Sequence, residues 1–512
     1  MSSLTALRRP SYVLSLTLNC GLLLVIVTAG RGALQGQSVS TNQPAQSSEA
    51  QLNSIATQLA AAEGRLQESQ YEIDQLKQQI AALRSQLAAA SAAPAASAVE
   101  NSSASQPDVS EKVAVLEAQV EQHDQSKVES TSKYPIRLTG LVLFNAFTNN
   151  GAVDNFDLPS VAVVPPPDTS TQASGASMRQ TILGIQATGP HLLGGSSYAD
   201  VNFDFYGGIP YSNYGTTGGL VRLRTGVMRL TWARDKAEVG LVEPLISPLS
   251  PSSYATVAEP GMAWAGNLWT WAPQLSYQHR FNAPAEGQFG WQFGLWDPPA
   301  AGYNNPDIYR AISSGERSGQ PAYETRLSYA RGERGTEGHL QFGLSGYYSR
   351  QSYPGRDGDS WAATGDWQLP LGRFFELSGE AYRGRSLGGL GGGVYKDVVV
   401  GTDPVTGRST FRLLNDVGGW TQGKLRFNRL LEANGTFGLD NGFSRDFHSL
   451  VLSPTAGAVQ LRARNQMISA NVIYTPKTYL IISPEYRRIR TFPINSTAST
   501  ANIFTLSFGY RF

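Results

Sequence analysis

The chain has a single cysteine in 512 residues, Cys20. It lies in an N-terminal apolar run that reads as a signal peptide, residues 1–33. Arg8 and Arg9 precede an apolar segment at 12–27, small residues follow, and Val27-x-Ala29 fits a cleavage site. Removal of that segment leaves no thiol, which excludes disulfides and thiolate chemistry from the mature chain. Histidine is also scarce: there are five, none at metal-ligand spacing, so neither a metal nor a cofactor is expected. Beyond the N-terminal run no long apolar stretch occurs, and mean hydropathy is −0.23. That excludes an α-helical membrane protein of this size. Neither sign of charge dominates: the formal net charge is +1, which excludes a nucleic-acid binder relying on a bulk positive field.

What the chain does have is alternation. Residues 503–512 read IFTLSFGYRF, with Phe504, Leu506, Phe508, Tyr510 and Phe512 at every second position and polar or small residues between them. Successive strand side chains point to opposite faces, so this strand is apolar on one side and polar on the other. An unpaired terminal strand is a liability that closure into a barrel removes, and lipid accepts its apolar side. The ending resembles the assembly signal of Gram-negative outer-membrane barrels, carried here by Phe508, Tyr510 and Phe512, which implies the barrel assembly machinery as a partner. Alternating segments recur through residues 134–512 and predict an all-β transmembrane barrel of about sixteen antiparallel strands. Short connections are expected at 190–195, 234–236, 332–335, 370–373 and 429–431, on the periplasmic side. Long ones are expected outside, at 149–177, 298–321 and 387–416.

The barrel is preceded by other material. A polar spacer, 34–47, leads to a region, 48–90, where Leu52, Leu59, Leu66, Ile73, Ile80 and Leu87 recur every seven residues. Ile55, Ala62, Ser69, Leu76, Leu83 and Ala90 fill the second seam position. That is the pattern of an α-helical coiled coil, placed in the periplasm. A low-complexity linker, 91–107, contains Pro94. A short helix, 108–133, opens at Asp108 with Glu111 as its capping partner.

Alternation also selects the lumen side chains. Asp200 and Asp204 fall on the polar face of one strand, and Arg222 and Arg224 on that of the next. Met228, Leu230 and Trp232 switch parity, so a bulge near Gly226 is expected, which keeps Arg229 inside. Pairing Gly208 with Leu220 sets Asp204 opposite Arg224. Glu376, Glu380, Lys424, Arg426, Glu485 and Arg487 lie on polar faces further along. Isolated Arg or Lys facing lipid at mid-membrane costs about 2–4 kcal/mol, so charges repeated on one face imply water there. Positions at the membrane rims or in a subunit contact are the alternative for any one of them. Residues 134–512 hold 28 Arg, four Lys and 28 acidic residues. Arginine's rigid fork suits carboxylate and phosphate oxygens, so the lumen leans towards anions.

The longest interruption, 243–273, carries Pro244, Pro248, Pro251, Pro260 and Pro273 with Trp264, Trp269 and Trp271. It is too broken for strands and too aromatic for a free loop. Folded inward it forms a constriction, with Glu259 facing the wall arginines. The alternative is an external lid or a subunit contact.

Three stretches, SKYPIRLTGLVLFNAF, PLSPSSYATVAEPGMAWAGNLWTWAPQ and ELSGEAYRGRSLGGLGGG, together with the coiled coil, resemble the DcaP-type trimeric porins. The resemblance spans nearly the whole mature chain. It implies a sixteen-stranded barrel, a homotrimer surrounded by outer-membrane lipid, and passage of small anionic solutes such as dicarboxylates. Enzymatic readings fail on context. GGWTQGK at 418–424 lacks the Ser or Thr and the helix of a phosphate loop, and GGLGGG at 388–393 has no strand–turn–helix around it. A passive channel is therefore expected, with no enzyme activity. The competing reading is a structural envelope anchor whose coiled coil grips peptidoglycan or a periplasmic partner.

Overall fold

The computed structural model describes residues 135–512 except 169, 210–217, 284–285, 302–310, 333–337 and 454–457. The signal peptide, spacer, coiled coil, linker and short helix expected over residues 1–133 lie outside the described residues. No helix among the described residues is long and apolar enough to cross a membrane.

The first half of the wall comprises β1 (Ile136–Asn150), β2 (Gln172–Ser177), β3 (Ile182–Leu192), β4 (Gly195–Asp204), β5 (Arg222–Thr231), β6 (Asp235–Val242), β7 (Ala272–Asn282), β8 (Gly287–Trp296) and β9 (Ala322–Arg331). The second half comprises β10 (Leu340–Tyr353), β11 (Arg356–Leu371), β12 (Phe375–Arg385), β15 (Asn415–Arg426), β16 (Leu431–Gly442), β17 (Arg462–Lys477), β18 (Leu480–Pro493) and β19 (Ser499–Arg511). A separate hairpin, β13 (Val398–Thr402) with β14 (Ser409–Leu413), stands in the connection between β12 and β15. Seventeen strands join one antiparallel sheet. β2 and β3 pair with successive halves of β1 and so share one place in the wall, which makes sixteen places.

The wall closes where the final ten residues are expected to close it. β19 pairs with β1 from Leu141↔Arg511 to Asn150↔Asn502. Phe512 exchanges backbone hydrogen bonds with Gly140, at 3.0 and 3.1 Å. Its ring fills the space beside that glycine, where a Cβ would stand 2.5 Å from the ring. Phe504, Leu506, Phe508 and Tyr510 are exposed on the outer face, with Ile503, Thr505 and Ser507 buried between them. The same alternation places Leu183, Leu223, Leu327, Leu344, Phe437 and Ile468 outside, forming the belt that lipid would cover.

Connections at one end are short: 193–194, 232–234, 283–286, 332–339, 372–374, 427–430 and 478–479. Those at the other end are mostly long, and four details there differ from the sequence reading. Residues 172–177 are strand, not loop, because β2 continues the wall alongside β1. The connection between β10 and β11 is only Pro354 and Gly355, where Gly355 takes φ 83°. The bulge in β5 falls at Arg224, slightly before the expected Gly226, since Asn202 pairs with Thr225 and Phe203 with Leu223. Asp204 therefore stands opposite Arg222 and not Arg224.

Inside, the long-loop half is packed. One apolar cluster joins Ile246 and Leu268 to Trp296, Tyr347, Tyr382 and Leu387. Another joins Leu249, Met262 and Ala265 to Trp420, Met467 and Ile489. Loop residues supply one side of each cluster and inward wall residues the other.

Candidate functional site

The 243–271 loop folds into the barrel. Its prolines prevent regular strand pairing, so its backbone groups must find other partners. Inward side chains of the wall supply them in sequence order. Leu245 N donates to Glu324 on β9 (2.9 Å), and Ile246 O accepts from Thr364 on β11 (2.6 Å). Leu249 N donates to Glu380 on β12 (2.7 Å), which also takes the Ser247 hydroxyl. Ser252 N donates to Gln422 on β15 (3.2 Å), and the Ser253 hydroxyl to Glu485 on β18 (2.6 Å). Gln180, just before β3, then grips the N–H groups of Val257 and Ala258 (2.7 and 3.0 Å) and the carbonyl of Ala255 (3.0 Å). Finally Ala258 O accepts from Arg222 (2.9 Å) and Arg224 (3.3 Å) on β5, beside the strand the loop left. The loop is an annulus along the inner wall.

The β4–β5 sector keeps part of its charge in the open. Asp204 is fully buried and accepts from Arg222 (2.6 Å) and Arg224 (3.4 Å). Two guanidinium groups share one buried carboxylate, and Glu243 is the further acidic charge acting on Arg224. The Arg222 and Arg224 side chains retain 27% and 14% exposure. Trp271, at the end of the annulus, lies under both, with Arg224 4.3 Å and Arg222 5.6 Å from its ring centroid. Cation–π contact of this kind fixes the guanidinium planes without neutralising them. Nearer the short-turn end, Asp200 accepts from Asn202 (2.7 Å), while Arg229 and Lys236 both pair with Glu238 at 2.6 Å.

The β12–β18 sector differs. Glu380 and Glu485 are buried beneath the annulus: Glu380 accepts from Leu249 N and the Ser247 hydroxyl, and one oxygen of Glu485 accepts from the Ser253 hydroxyl. Arg487 pairs with Glu485 (3.2 Å) and donates to Pro159 O (3.2 Å), also under cover. Glu376 is buried against Arg426 (2.8 Å), and Lys424 pairs with Glu432 (3.4 Å). Lys424, Arg426 and Glu432 line a cavity of about 510 Å³ at the short-turn end, roofed by Ser252, Ser253 and Tyr254.

Glu259 does not meet the wall arginines, contrary to the sequence reading. Its carboxylate accepts from the Ser160 hydroxyl (3.3 Å), and the arginines donate to the preceding carbonyl, Ala258 O, instead. Burial, reinforced by the nearby Asp154 charge, raises the pKa of Glu259. Trp264 packs edge-on against Trp269 (5.8 Å), and Trp269 against Trp271 (5.4 Å). With Glu259 and Tyr395 these tryptophans line a cavity of about 420 Å³ at the long-loop end.

Several gripping residues escape the sequence reading: Gln180, Glu324, Thr364 and Gln422. Glu324 and Gln422 carry the signal of a polar residue at inward parity. Gln180 sits in a break between strands, where parity gives no signal.

No protein-family model matches the chain, and no curated protein does. The fold is shared with the solved outer-membrane channel DcaP of Acinetobacter baumannii, at 16% identity and a TM-score of 0.54, covering 74% of this chain and 99% of that one. An anion-selective porin from Comamonas acidovorans aligns at 10% identity and a TM-score of 0.47, covering 74% and 100%.

Proposed function

We propose that the chain is an outer-membrane porin of a Gram-negative bacterium, a passive diffusion channel for small hydrophilic solutes with a lean towards anions such as dicarboxylates. A closed sixteen-place barrel with an apolar outer belt and an inward third long loop supports the channel reading. The observation that carries the anion lean is the Asp204–Arg222–Arg224 cluster against Trp271. One carboxylate is shared between two partly open guanidinium groups, both aimed at the loop that narrows the lumen.

The mechanism has no covalent step. Positive charge on the β4–β5 sector stabilises an anion while it is partly dehydrated, and the annulus sets the size that passes. The edge-packed tryptophans at the long-loop end offer apolar surface to a solute's carbon skeleton. A homotrimer is proposed from the resemblance to trimeric porins, and recognition of Phe508, Tyr510 and Phe512 by the barrel assembly machinery from the exposed aromatic ending.

Single-channel recording of the purified protein in a planar bilayer under a KCl gradient tests this. Current steps in threes with an anion-favouring reversal potential are expected. A correctly folded barrel that carries no current would overturn the channel and leave the envelope anchor.

A further inference from the structure

The outer wall carries a second basic feature, on the face turned away from the lumen. On β17 and β18 the even-numbered residues face outward. From the short-turn end β18 shows Leu480, Ile482, Pro484, Tyr486, then Arg488, Arg490 and Phe492. β17 shows Val472, Ala470, Ile468, Gln466, then Arg464. Register pairs Gln466 with Arg490 and Arg464 with Phe492, so the three arginines form one patch. Phe492 is its floor, with the Arg464 guanidinium 3.8 Å and that of Arg490 4.9 Å from the ring centroid. Below the patch begins the apolar belt, with Ile468, Tyr486 and Phe504.

Among the described residues, none of the three arginines has an ion-pair partner. The neighbouring outward positions are neutral: Asn441 on β16, Asn502 and Thr500 on β19. Arg464 Nε is buried with no hydrogen-bond acceptor among the described residues. A buried donor of that kind calls for a partner. The opposite stretch of rim shows what a self-sufficient arginine looks like. Arg350 lies two residues beyond Tyr348 on β10, as Arg488 lies two beyond Tyr486 on β18. There Asp357 (3.0 Å) and Asp359 (3.2 Å) on β11 take up its guanidinium.

We propose that Arg464, Arg488 and Arg490 hold the phosphate of a phosphorylated glycolipid in the outer leaflet. The proposal rests on the reading above that the barrel spans the outer membrane with its long loops outward. Arginine forks bind phosphate oxygens through paired charge-assisted hydrogen bonds. The patch stands at the upper edge of the lipid belt, so one molecule can place its phosphate on the arginines and its acyl chains along Ile468 and Phe504. A free phosphate ion would meet the same charges without the apolar contact, and against solvent-screened arginines it gains far less.

The test uses the full-length folded protein in detergent, with binding measured to bisphosphorylated lipid A, to dephosphorylated lipid A and to inorganic phosphate. The triple variant Arg464→Gln, Arg488→Gln, Arg490→Gln is expected to lose at least tenfold in affinity for the phosphorylated lipid. Wild type is expected to bind the dephosphorylated lipid equally weakly, and Arg350→Gln to bind as wild type. Bilayer conductance of the triple variant, expected to match wild type, reports that the barrel still folds. The proposal is overturned if the folded triple variant binds phosphorylated lipid A like wild type, or if removing the phosphates changes nothing. It is overturned too if inorganic phosphate displaces the lipid at equal concentration, which would mark a free-anion site. Loss of the channel reading would show separately, as absent current with lipid binding intact.

Discussion

The β4–β5 and β12–β18 sectors of the inner wall obey the same alternation yet meet different surroundings. In the first, Arg222 and Arg224 share Asp204 and keep part of their surface open. In the second, Glu380 and Glu485 lie buried under the 243–271 loop, where Glu380 accepts from Leu249 N and the Ser247 hydroxyl and Glu485 from the Ser253 hydroxyl. Inward parity decides only that a side chain avoids lipid. Whether it then meets water or a loop depends on the path of a segment far away in sequence. The charges of Arg222 and Arg224 should act on ions, and those of Glu380 and Glu485 on the loop.

The comparison breaks most severely at Asp204. Asp204→Asn leaves two guanidinium groups without their buried counter-charge, and removing one partner of a buried pair costs about 3–5 kcal/mol. Urea unfolding in detergent should show a loss of that order. Unchanged stability would mean that the arginines are fully hydrated and the cluster is not structural. Glu380→Ala strikes the other sector. It frees Leu249 N and the Ser247 hydroxyl, a loss of about 1–3 kcal/mol for stranded polar groups. The loop should loosen, seen as noisier and larger single-channel current with the reversal potential unchanged.

A smaller effect is expected at Asp397, in the connection between β12 and β15, where burial pushes the carboxyl up to about 7 against the pull of the backbone N–H groups of Ala301 and Gly389. Between the ordinary carboxylate range near 3.8 and that value, the folded chain keeps a proton that the unfolded chain releases. Asp397 therefore makes stability fall as pH rises through this window. Asp397→Asn should flatten the fall in melting temperature between those pH values. An unaltered slope would place the titrating group elsewhere.

Much of the barrel was legible in the sequence because lipid enforces a strict period. The outward residues of β19, the closing strand and the sixteen places follow from it, and the inward course of the 243–271 loop follows from prolines and tryptophans that need burial. The bulge at Arg224 was visible to within two residues, because Met228 and Leu230 had to return to the lipid side. The cover over Glu380 and Glu485 was not legible, since a carboxylate facing water and one gripping a loop have identical parity. Nor was the partner of Glu259, which depends on Ser160 in a different loop. Inward apolar residues such as Trp420, Met467 and Ile489 read as exceptions in the sequence, and in the fold they are the wall's side of a packed core. The coiled coil expected at 48–90 lies outside the described residues.

Reversal potential under a KCl gradient, compared between two double variants, tests the division of the lumen most directly. Arg222→Gln with Arg224→Gln should abolish the proposed preference for chloride, while Glu380→Gln with Glu485→Gln, which keeps the shape of both side chains, should leave the reversal potential as in wild type. An equal and opposite shift from the glutamate pair would contradict the account, because it would put both sectors in the path of the ions.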